Sequence, residues 1–235
     1  PLYRLWGLNP ARCPRSSFTV SMADDESDYR ARVRAAQQYG LVKLKLGSGD
    51  LEADLRMVRL ARQELDGEFC VDANGGWSAA DALTIIPRLP ELGVIFVEQP
   101  VARHDLDGWR TLRQSLPPDH PPLIADESVQ GVDSVPPLAG LVDGINIKLA
   151  KCGGLRPARQ MIALARAYGL RVMIGCMVES SVAVTAAAHL APLADYADLD
   201  GNLLITNDPY RGLRLAAGQV ILPEGPGLGV SPAEV

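Results

Sequence analysis

The chain has 235 residues, 47% of them hydrophobic, and a formal net charge of −5. This length and apolar content allow one large core, so we expect a single principal domain. The acidic balance and the lack of clustered basic residues argue against nucleic-acid binding.

Cysteine spacing and hydropathy indicate the compartment. The four cysteines are far apart and form neither a CxxC pair nor a Cys/His ligand pattern, which excludes a recognisable disulfide framework or zinc site. No apolar stretch reaches the about 18 residues that a membrane span needs, and the N-terminus lacks a signal-peptide pattern. We therefore expect a cytoplasmic protein without a membrane partner.

Short β-rich runs alternate with amphipathic helical stretches along the chain, a pattern typical of βα units and a parallel sheet. The predicted strands are 18–21, 42–46, 69–72, 95–98, 123–126, 144–148, 171–175 and 196–200. The predicted helices include 28–39, 50–65, 79–89, 156–168 and 181–190.

Helix boundaries carry the expected signals. Ser27 and Ser78 are predicted N-caps, Gly40 and Gly169 are predicted C-terminal left-handed residues, and Pro157 falls in a first helical turn. Eight alternations without a GxGxxG motif favour an α/β fold of the TIM type, a (β/α)8 barrel, over an open doubly wound sheet.

The two ends do not follow this alternation. We divide the chain into an irregular lead-in at 1–14, a barrel at 15–202 and a Pro/Gly-rich tail at 203–235, which contains a hairpin-like piece at 213–222.

Three acidic residues close consecutive predicted strands: Asp72, Glu98 and Asp126. Neighbouring strand ends converge at one rim of a barrel, where unpaired carboxylates repel one another unless a divalent cation neutralises them. A set of oxygen ligands alone favours Mg²⁺. The alternative, that each carboxylate caps the following helix, explains one acid better than three in succession.

Lys45 and Lys148 lie on the second and sixth strands, half a turn apart around eight. Two bases facing each other across a metal can remove a proton from one face of a carbon and return it on the other. We expect the cation and Lys43 to lower a lysine pKa toward that of a useful base. The alternative is that both lysines are structural partners of the carboxylates.

Other polar residues follow the last two strands. Asp198 and Asp200 have period-two spacing that turns both carboxylates to one side, where they suit a cationic group. A turn before Gly201 explains Asp200 alone. Glu179 either joins the rim or begins a helix, and Met177 either walls a pocket or packs in the core.

Several motifs in order resemble the muconate-lactonizing subgroup of the enolase superfamily: KLKL, VDANGGW, VEQP, ADES and INIKLAKCGG. The resemblance implies a modified (β/α)7β barrel in which Mg²⁺ is held by Asp72, Glu98 and Asp126. It gives the two acid/base roles to Lys45 and Lys148.

Within that subgroup, GCMVES followed by ADLDG is similar to dipeptide epimerases. The resemblance implies inversion of the α-carbon of the C-terminal residue of a dipeptide such as L-Ala-L-Glu, by two-base proton transfer through an enediolate. The acidic pair would hold the free amino group of the dipeptide. The residues assigned to substrate binding are Lys43, Asp198, Asp200, Met177 and Glu179.

Alternatives remain within the same scaffold. These are an N-acylamino acid racemase, an o-succinylbenzoate synthase or cycloisomerase, and a non-catalytic barrel. The resemblance also implies an N-terminal α+β capping domain of roughly a hundred residues, which this sequence lacks. The chain is then a fragment, a barrel capped by other means, or a remnant. The tail packs on the cap in relatives, and a homo-oligomer stays open.

Overall fold

A computed structural model of the chain describes residues 1–233. Its centre is one sheet of eight parallel strands, in which each strand pairs with the next strand in sequence. The strands are β1 (Phe18–Val20), β2 (Val42–Lys45), β3 (Phe69–Asp72), β4 (Val94–Glu98), β5 (Leu123–Ala125), β6 (Gly144–Lys148), β7 (Arg171–Gly175) and β8 (Tyr196–Asp198). All eight strands predicted from the sequence are present.

The first and last strands meet at a seam that brings the sheet round into a barrel. Ser16 forms a parallel bridge with Ala197. The Ser17 N–H donates to the Ala197 carbonyl at 2.9 Å, and the Leu199 N–H donates to Ser16 Oγ at 2.7 Å. The predicted TIM-type barrel is confirmed.

Helices cover the outside of the barrel. They are α1 (Leu2–Leu5), α2 (Glu26–Ala36), α3 (Leu51–Glu64), α4 (Ala79–Ile85), α5 (Leu106–Ser115), α6 (Val135–Leu138), α7 (Leu149–Cys152), α8 (Leu155–Ala167) and α9 (Ser181–Ala188). After β8 the described residues contain the 3₁₀ turn Gly201–Leu204 and the short strands of the tail, but no further α-helix. This is the modified (β/α)7β form.

Two predicted N-caps have different outcomes. Ser78 caps α4 through a reciprocal capping box with Asp81. Ser27 was the wrong choice for α2: the N-cap is Asp25, whose carboxylate accepts the Asp28 N–H at 2.8 Å. Serine and aspartate are comparable N-caps, so the two candidates in this acidic stretch could not be separated by residue type.

The barrel interior is filled below its C-terminal end. Cys70, Phe96, Ile124 and Met173 form one buried cluster there. Because side chains alternate along a strand, the residues two positions further along β3 and β4 face the same interior, one layer higher. That layer contains the predicted acids.

The terminal segments pack on the barrel. The lead-in contains α1, and the tail contains β9 (Tyr210–Arg211), β10 (Arg214–Ala216), β11 (Gln219–Ile221) and β12 (Ser231–Pro232). Strands β10 and β11 form the predicted hairpin. Positions 234 and 235 of the predicted tail lie outside the described residues. Within residues 1–233, no helix is long and apolar enough to cross a membrane.

Candidate active site at the C-terminal end of the barrel

Asp72, Glu98 and Asp126 lie together at the C-terminal ends of β3, β4 and β5. One carboxylate oxygen from each residue lies within 4.8 Å of the others. Asp72 and Glu98 are register partners, and all three side chains are buried. We call these three residues the acid cluster. The structure brings together the acids that the sequence assigned to a metal.

The two aspartates of the acid cluster have several protein partners. Asp72 accepts from Lys45 Nζ at 2.7 Å and from the Asn74 N–H at 2.9 Å. Asp126 accepts from Lys148 Nζ at 2.7 Å and also from Lys151 Nζ. These ammonium groups partly balance the negative charge that the barrel concentrates here.

Glu98 is held differently. Its Oε1 accepts from Asn146 Nδ2 at 2.7 Å, whereas its buried Oε2 has no hydrogen-bond partner among residues 1–233. Buried polar atoms are normally paired, so an unpaired carboxylate oxygen marks a position for an additional group. Burial and the neighbouring Asp72 raise the pKa of Glu98 to about 8.

The acid cluster fits a divalent cation. A cation would supply the missing partner of Glu98 Oε2 and reduce the repulsion among three close carboxylates. A donor set made only of oxygen atoms matches the preference of Mg²⁺.

Lys45 and Lys148 lie on β2 and β6, which are four strands apart in the eight-stranded order. Lys45 pairs with Asp72, and Lys148 pairs with Asp126. Both lysines line the same pocket. The acid cluster therefore lies between two ammonium groups that come from opposite walls of the barrel.

The expected lowering of a lysine pKa is not found for Lys148 with the charges of the protein alone. Burial and Lys43 lower the pKa of Lys148, but the attraction of Asp126 and Glu98 is stronger, and the pKa lies above its ordinary value. Without a cation, the carboxylates that surround the ammonium group at short range stabilise its charged form.

Lys43 lies deeper than the other lysines and is 2% exposed. Its Nζ contacts Asp198 closely and lies 3.5 Å from Glu98 Oε2 and 3.8 Å from Asp72. Burial lowers the pKa of Lys43, but Asp198 and then Glu98 raise it well above its ordinary value. The neighbouring carboxylates thus stabilise the charged form of Lys43 beside the acid cluster.

Asp198 and Asp200 both line the pocket and are buried at the β1–β8 seam. Asp198 contacts Lys43 and accepts from Ser17 Oγ at 2.6 Å, whereas Asp200 accepts from the Thr19 N–H at 2.7 Å. Burial and the charge of Asp198 raise the pKa of Asp200 to about 6. The two carboxylates therefore have different environments.

Met177 and Glu179 belong to the loop after β7. Met177 is 48% exposed and lines the pocket. Glu179 is not among the lining residues, and its Oε1 accepts the Met177 N–H at 3.3 Å. Burial raises the pKa of Glu179. Of these two candidates, Met177 lies on the pocket wall, and Glu179 contacts the backbone of the loop.

The pocket above the acid cluster has a volume of about 270 Å³, and Met177, Val178 and Leu204 form an apolar part of its wall. Sequence reasoning gave no role to Lys151 or Asn146. Lys151 lies three positions after Lys148 in α7, which places it within reach of the same aspartate. Asn146 precedes Lys148 by two positions, so period-two spacing could have identified it as facing the same interior.

The parallel barrel with acids at consecutive strand ends is consistent with one family of barrel proteins. The chain belongs to the enolase C-terminal domain-like family, whose model matches residues 28–235. Its relatives are isomerases. An L-Ala-D/L-Glu epimerase from Bacteroides thetaiotaomicron is 42% identical over 234 residues, which are 98% of this chain and 59% of that protein.

Solved structures of dipeptide epimerases have the same fold. The substrate-liganded complex of the L-Ala-D/L-Glu epimerase from Bacillus subtilis matches with a TM-score of 0.91 at 30% identity, over 100% of this chain and 67% of the other. The dipeptide epimerase from Cytophaga hutchinsonii, complexed with Mg and D-Ala-L-Val, gives a TM-score of 0.89 at 29% identity, over 100% of this chain and 65% of the other. The chain thus spans about two thirds of these relatives and corresponds to their barrel portion.

Proposed function

We propose that this protein is a Mg²⁺-dependent epimerase that inverts the α-carbon of the C-terminal residue of a dipeptide such as L-Ala-L-Glu. The observation that carries the proposal is the acid cluster flanked by Lys45 and Lys148 from opposite walls. The names of the relatives support the substrate class.

The acid cluster would hold the cation through Asp72, Glu98 and Asp126. The bound cation would supply positive charge beside the substrate carboxylate and lower the free energy of the carbanion formed when the α-proton leaves. Sites of this superfamily combine a lysine or histidine base with Mg²⁺, so this part of the proposal follows the family.

The lysines would transfer the proton. One lysine, in its neutral form, takes the α-proton at Nζ, and the other donates a proton from its ammonium group to the opposite face of the same carbon. For the opposite epimer the two roles are exchanged. Since both ammonium groups pair with a metal-ligand carboxylate, cation binding to Asp72 and Asp126 would weaken those pairs and favour loss of a lysine proton.

The seam carboxylates would bind the free amino group of the dipeptide. Asp198 already pairs with Lys43 and Ser17, whereas Asp200 contacts the protein through the Thr19 N–H. A substrate ammonium group beside Asp200 would supply the positive partner that this buried carboxylate lacks, and it would lower the pKa of Asp200 from about 6. Asp200 is therefore the stronger candidate of the two.

The test is hydrogen exchange at the α-carbon. L-Ala-L-Glu, Mg²⁺ and the protein are incubated in deuterium oxide, and the α-proton of the C-terminal residue is followed by NMR. We expect deuterium incorporation together with formation of L-Ala-D-Glu, and a chelator should stop both. An Arg59→Ala variant, altered at an exposed position of α3 away from the pocket, serves as a surface control that retains exchange.

Two other outcomes lead to different functions. Exchange on N-succinylamino acids without exchange on dipeptides would indicate a racemase of acylated amino acids; an N-succinyl Arg/Lys racemase from Bacillus cereus is 30% identical, with a TM-score of 0.86. Such substrates have no free α-amino group for Asp198 and Asp200 to bind. Calorimetric Mg²⁺ binding without exchange on any substrate would indicate a non-catalytic barrel.

A further inference from the structure

Asn146 is a buried polar residue without a part in the chemistry proposed above. It lies on β6 and is 0% exposed. Its Nδ2 donates to Glu98 Oε1 at 2.7 Å, and its Oδ1 has no hydrogen-bond partner within the described chain. A buried amide with one unpaired atom costs stability, so its retention needs another reason.

The geometry around Glu98 supplies that reason. A carboxylate on a rotatable side chain could turn either oxygen toward the acid cluster. Oε2 has no hydrogen-bond partner within the described chain and lies 3.5 Å from Lys43 Nζ, at ion-pair distance. The Asn146 amide fixes Oε1 on the β6 side of the barrel. The other oxygen, Oε2, is thereby left for the cation.

The Asn146 side chain carries no net charge, and this affects how Glu98 can bind a cation. The two aspartates of the acid cluster are each paired with lysine ammonium groups. A lysine at position 146 would compete with a cation for Glu98, and an aspartate would repel the Glu98 carboxylate. An amide donates a hydrogen bond without adding net charge.

The neighbouring strand leaves room for this amide. A Cβ atom added at Gly175 on β7 would lie 2.5 Å from Asn146 Oδ1 and 2.8 Å from Nδ2. The absence of a side chain at Gly175 is thus a condition for the position of Asn146, although Gly175 does not touch Glu98 through any hydrogen bond of the described residues.

We propose that Asn146 is a positioning residue that orients Glu98 as a ligand for a divalent cation. The absence of a side chain at Gly175 leaves the space that the Asn146 amide needs. This inference rests on the proposed function, and it concerns how the chain builds the site. Substitution of groups that orient metal ligands typically weakens metal affinity by about 10–100-fold.

The test combines two measurements. Titration calorimetry gives the Mg²⁺ affinity, and thermal unfolding in the presence of a chelator gives the stability of the metal-free protein. Asn146→Leu removes the amide while retaining similar volume, and Gly175→Ala displaces the amide from a different strand. We expect both variants to bind Mg²⁺ about 10–100-fold more weakly. Thermal stability in the chelator should also fall, because Glu98 Oε1 loses its donor and the Cβ of Gly175→Ala must displace the amide. Mg²⁺ affinity is therefore the measurement that decides the test.

Asn202→Ala is the matched control. Asn202 also has an unpaired, buried Oδ1, but its Nδ2 donates to Ser181 Oγ at 3.1 Å and not to an acid. We expect its Mg²⁺ affinity to equal that of the unaltered protein. A merely structural role for Asn146 predicts that stability falls in both variants while Mg²⁺ affinity does not change.

A spectroscopic readout complements the affinity. In an amide-resolved NMR spectrum, the side-chain NH₂ signals of Asn146 should shift as Mg²⁺ is added, and those of Asn202 should not. If Asn146→Leu and Gly175→Ala bind Mg²⁺ as tightly as the unaltered protein, the inference is wrong while the proposed metal site stands. If the unaltered protein itself binds no Mg²⁺, both are overturned.

Discussion

Two buried polar clusters of the barrel differ in how completely their atoms are paired. At its C-terminal end, the acid cluster leaves Glu98 Oε2 without a hydrogen-bond partner within residues 1–233, although the ammonium group of Lys43 lies near it, at 3.5 Å. At the junction of α9 with both terminal segments, the His189 ring accepts from the Tyr3 N–H at 3.2 Å and contacts the Leu228 carbonyl at 3.1 Å through Nε2. We call Tyr3, His189 and Leu228 the His189 junction.

The difference separates a buried polar group whose atoms are all paired from one that leaves an oxygen without a hydrogen bond. Both His189 nitrogens are satisfied, so the ring acts as a neutral connection between α9, the lead-in and the tail. The acid cluster brings three carboxyl groups close together and leaves one buried oxygen without a hydrogen bond, which is unfavourable unless another group binds. Burial alone does not separate the clusters, since His189 and Glu98 are both 0% exposed.

The largest expected effect comes from removing the unpaired oxygen. Glu98→Gln replaces a charged ligand with a neutral amide, and we expect Mg²⁺ affinity to fall by more than the ~100-fold that marks the upper end for supporting residues. Titration calorimetry measures this change. Unaltered affinity in Glu98→Gln would show that the cation does not use this carboxylate.

Breaking the ion pair beneath the acid cluster should cause a large loss of folding stability. Lys43→Met leaves Asp198 without its buried cation, and we expect the free energy of unfolding at neutral pH to fall by about 3–5 kcal/mol. Denaturant unfolding measures the loss. The double variant Lys43→Met/Asp198→Asn should recover part of it, since the unpaired charge is then gone; an additive loss would contradict the pairing.

Disrupting the His189 junction should affect stability and leave the metal site intact. His189→Leu leaves the Tyr3 N–H and the Leu228 carbonyl unpaired, which should lower the free energy of unfolding by about 1–3 kcal/mol. Mg²⁺ affinity should not change. A joint loss of stability and affinity would show that the two regions are coupled.

The smallest effect is the pH dependence of the His189 junction. Burial lowers the pKa of His189 from its ordinary 6.5. The unfolded chain therefore binds more protons just below pH 6.5, so this contribution to stability is present above that value and is lost as the pH falls through the lowered pKa.

Unfolding of the unaltered protein and of His189→Gln at about pH 7.5 and about pH 5.5 isolates this contribution. The stability difference between the two proteins should shrink at the lower pH. Glu98 and Asp200, whose pKa values are raised, act in the opposite direction but are present in both proteins. A difference that grows with acidification would contradict a neutral His189.

The sequence predicted the barrel and the acid cluster because both depend on local patterns. Each strand is a short apolar run closed by a charge, and parallel strand ends meet at one rim by topology. Helix α5 was not named among the predicted helices: Gly108 weakens its pattern, although Asp105 caps it.

Pairings between distant residues could not be predicted from local pattern. Lys43 contacts Asp198 across 155 positions, and Asn146 contacts Glu98 across 48 positions. The pairing of Asp126 with both Lys148 and Lys151 also depends on the turn of α7. Sequence spacing shows which side chains face the interior, but their partners depend on the register and closure of the barrel.

The most direct test compares α-proton exchange in Lys45→Ala and Lys148→Ala with each epimer of the dipeptide. If the lysines act on opposite faces, neither variant epimerises, and each exchanges only the epimer that faces its remaining lysine. Full epimerisation by either variant, or exchange of the same epimer by both, would contradict the two-base arrangement.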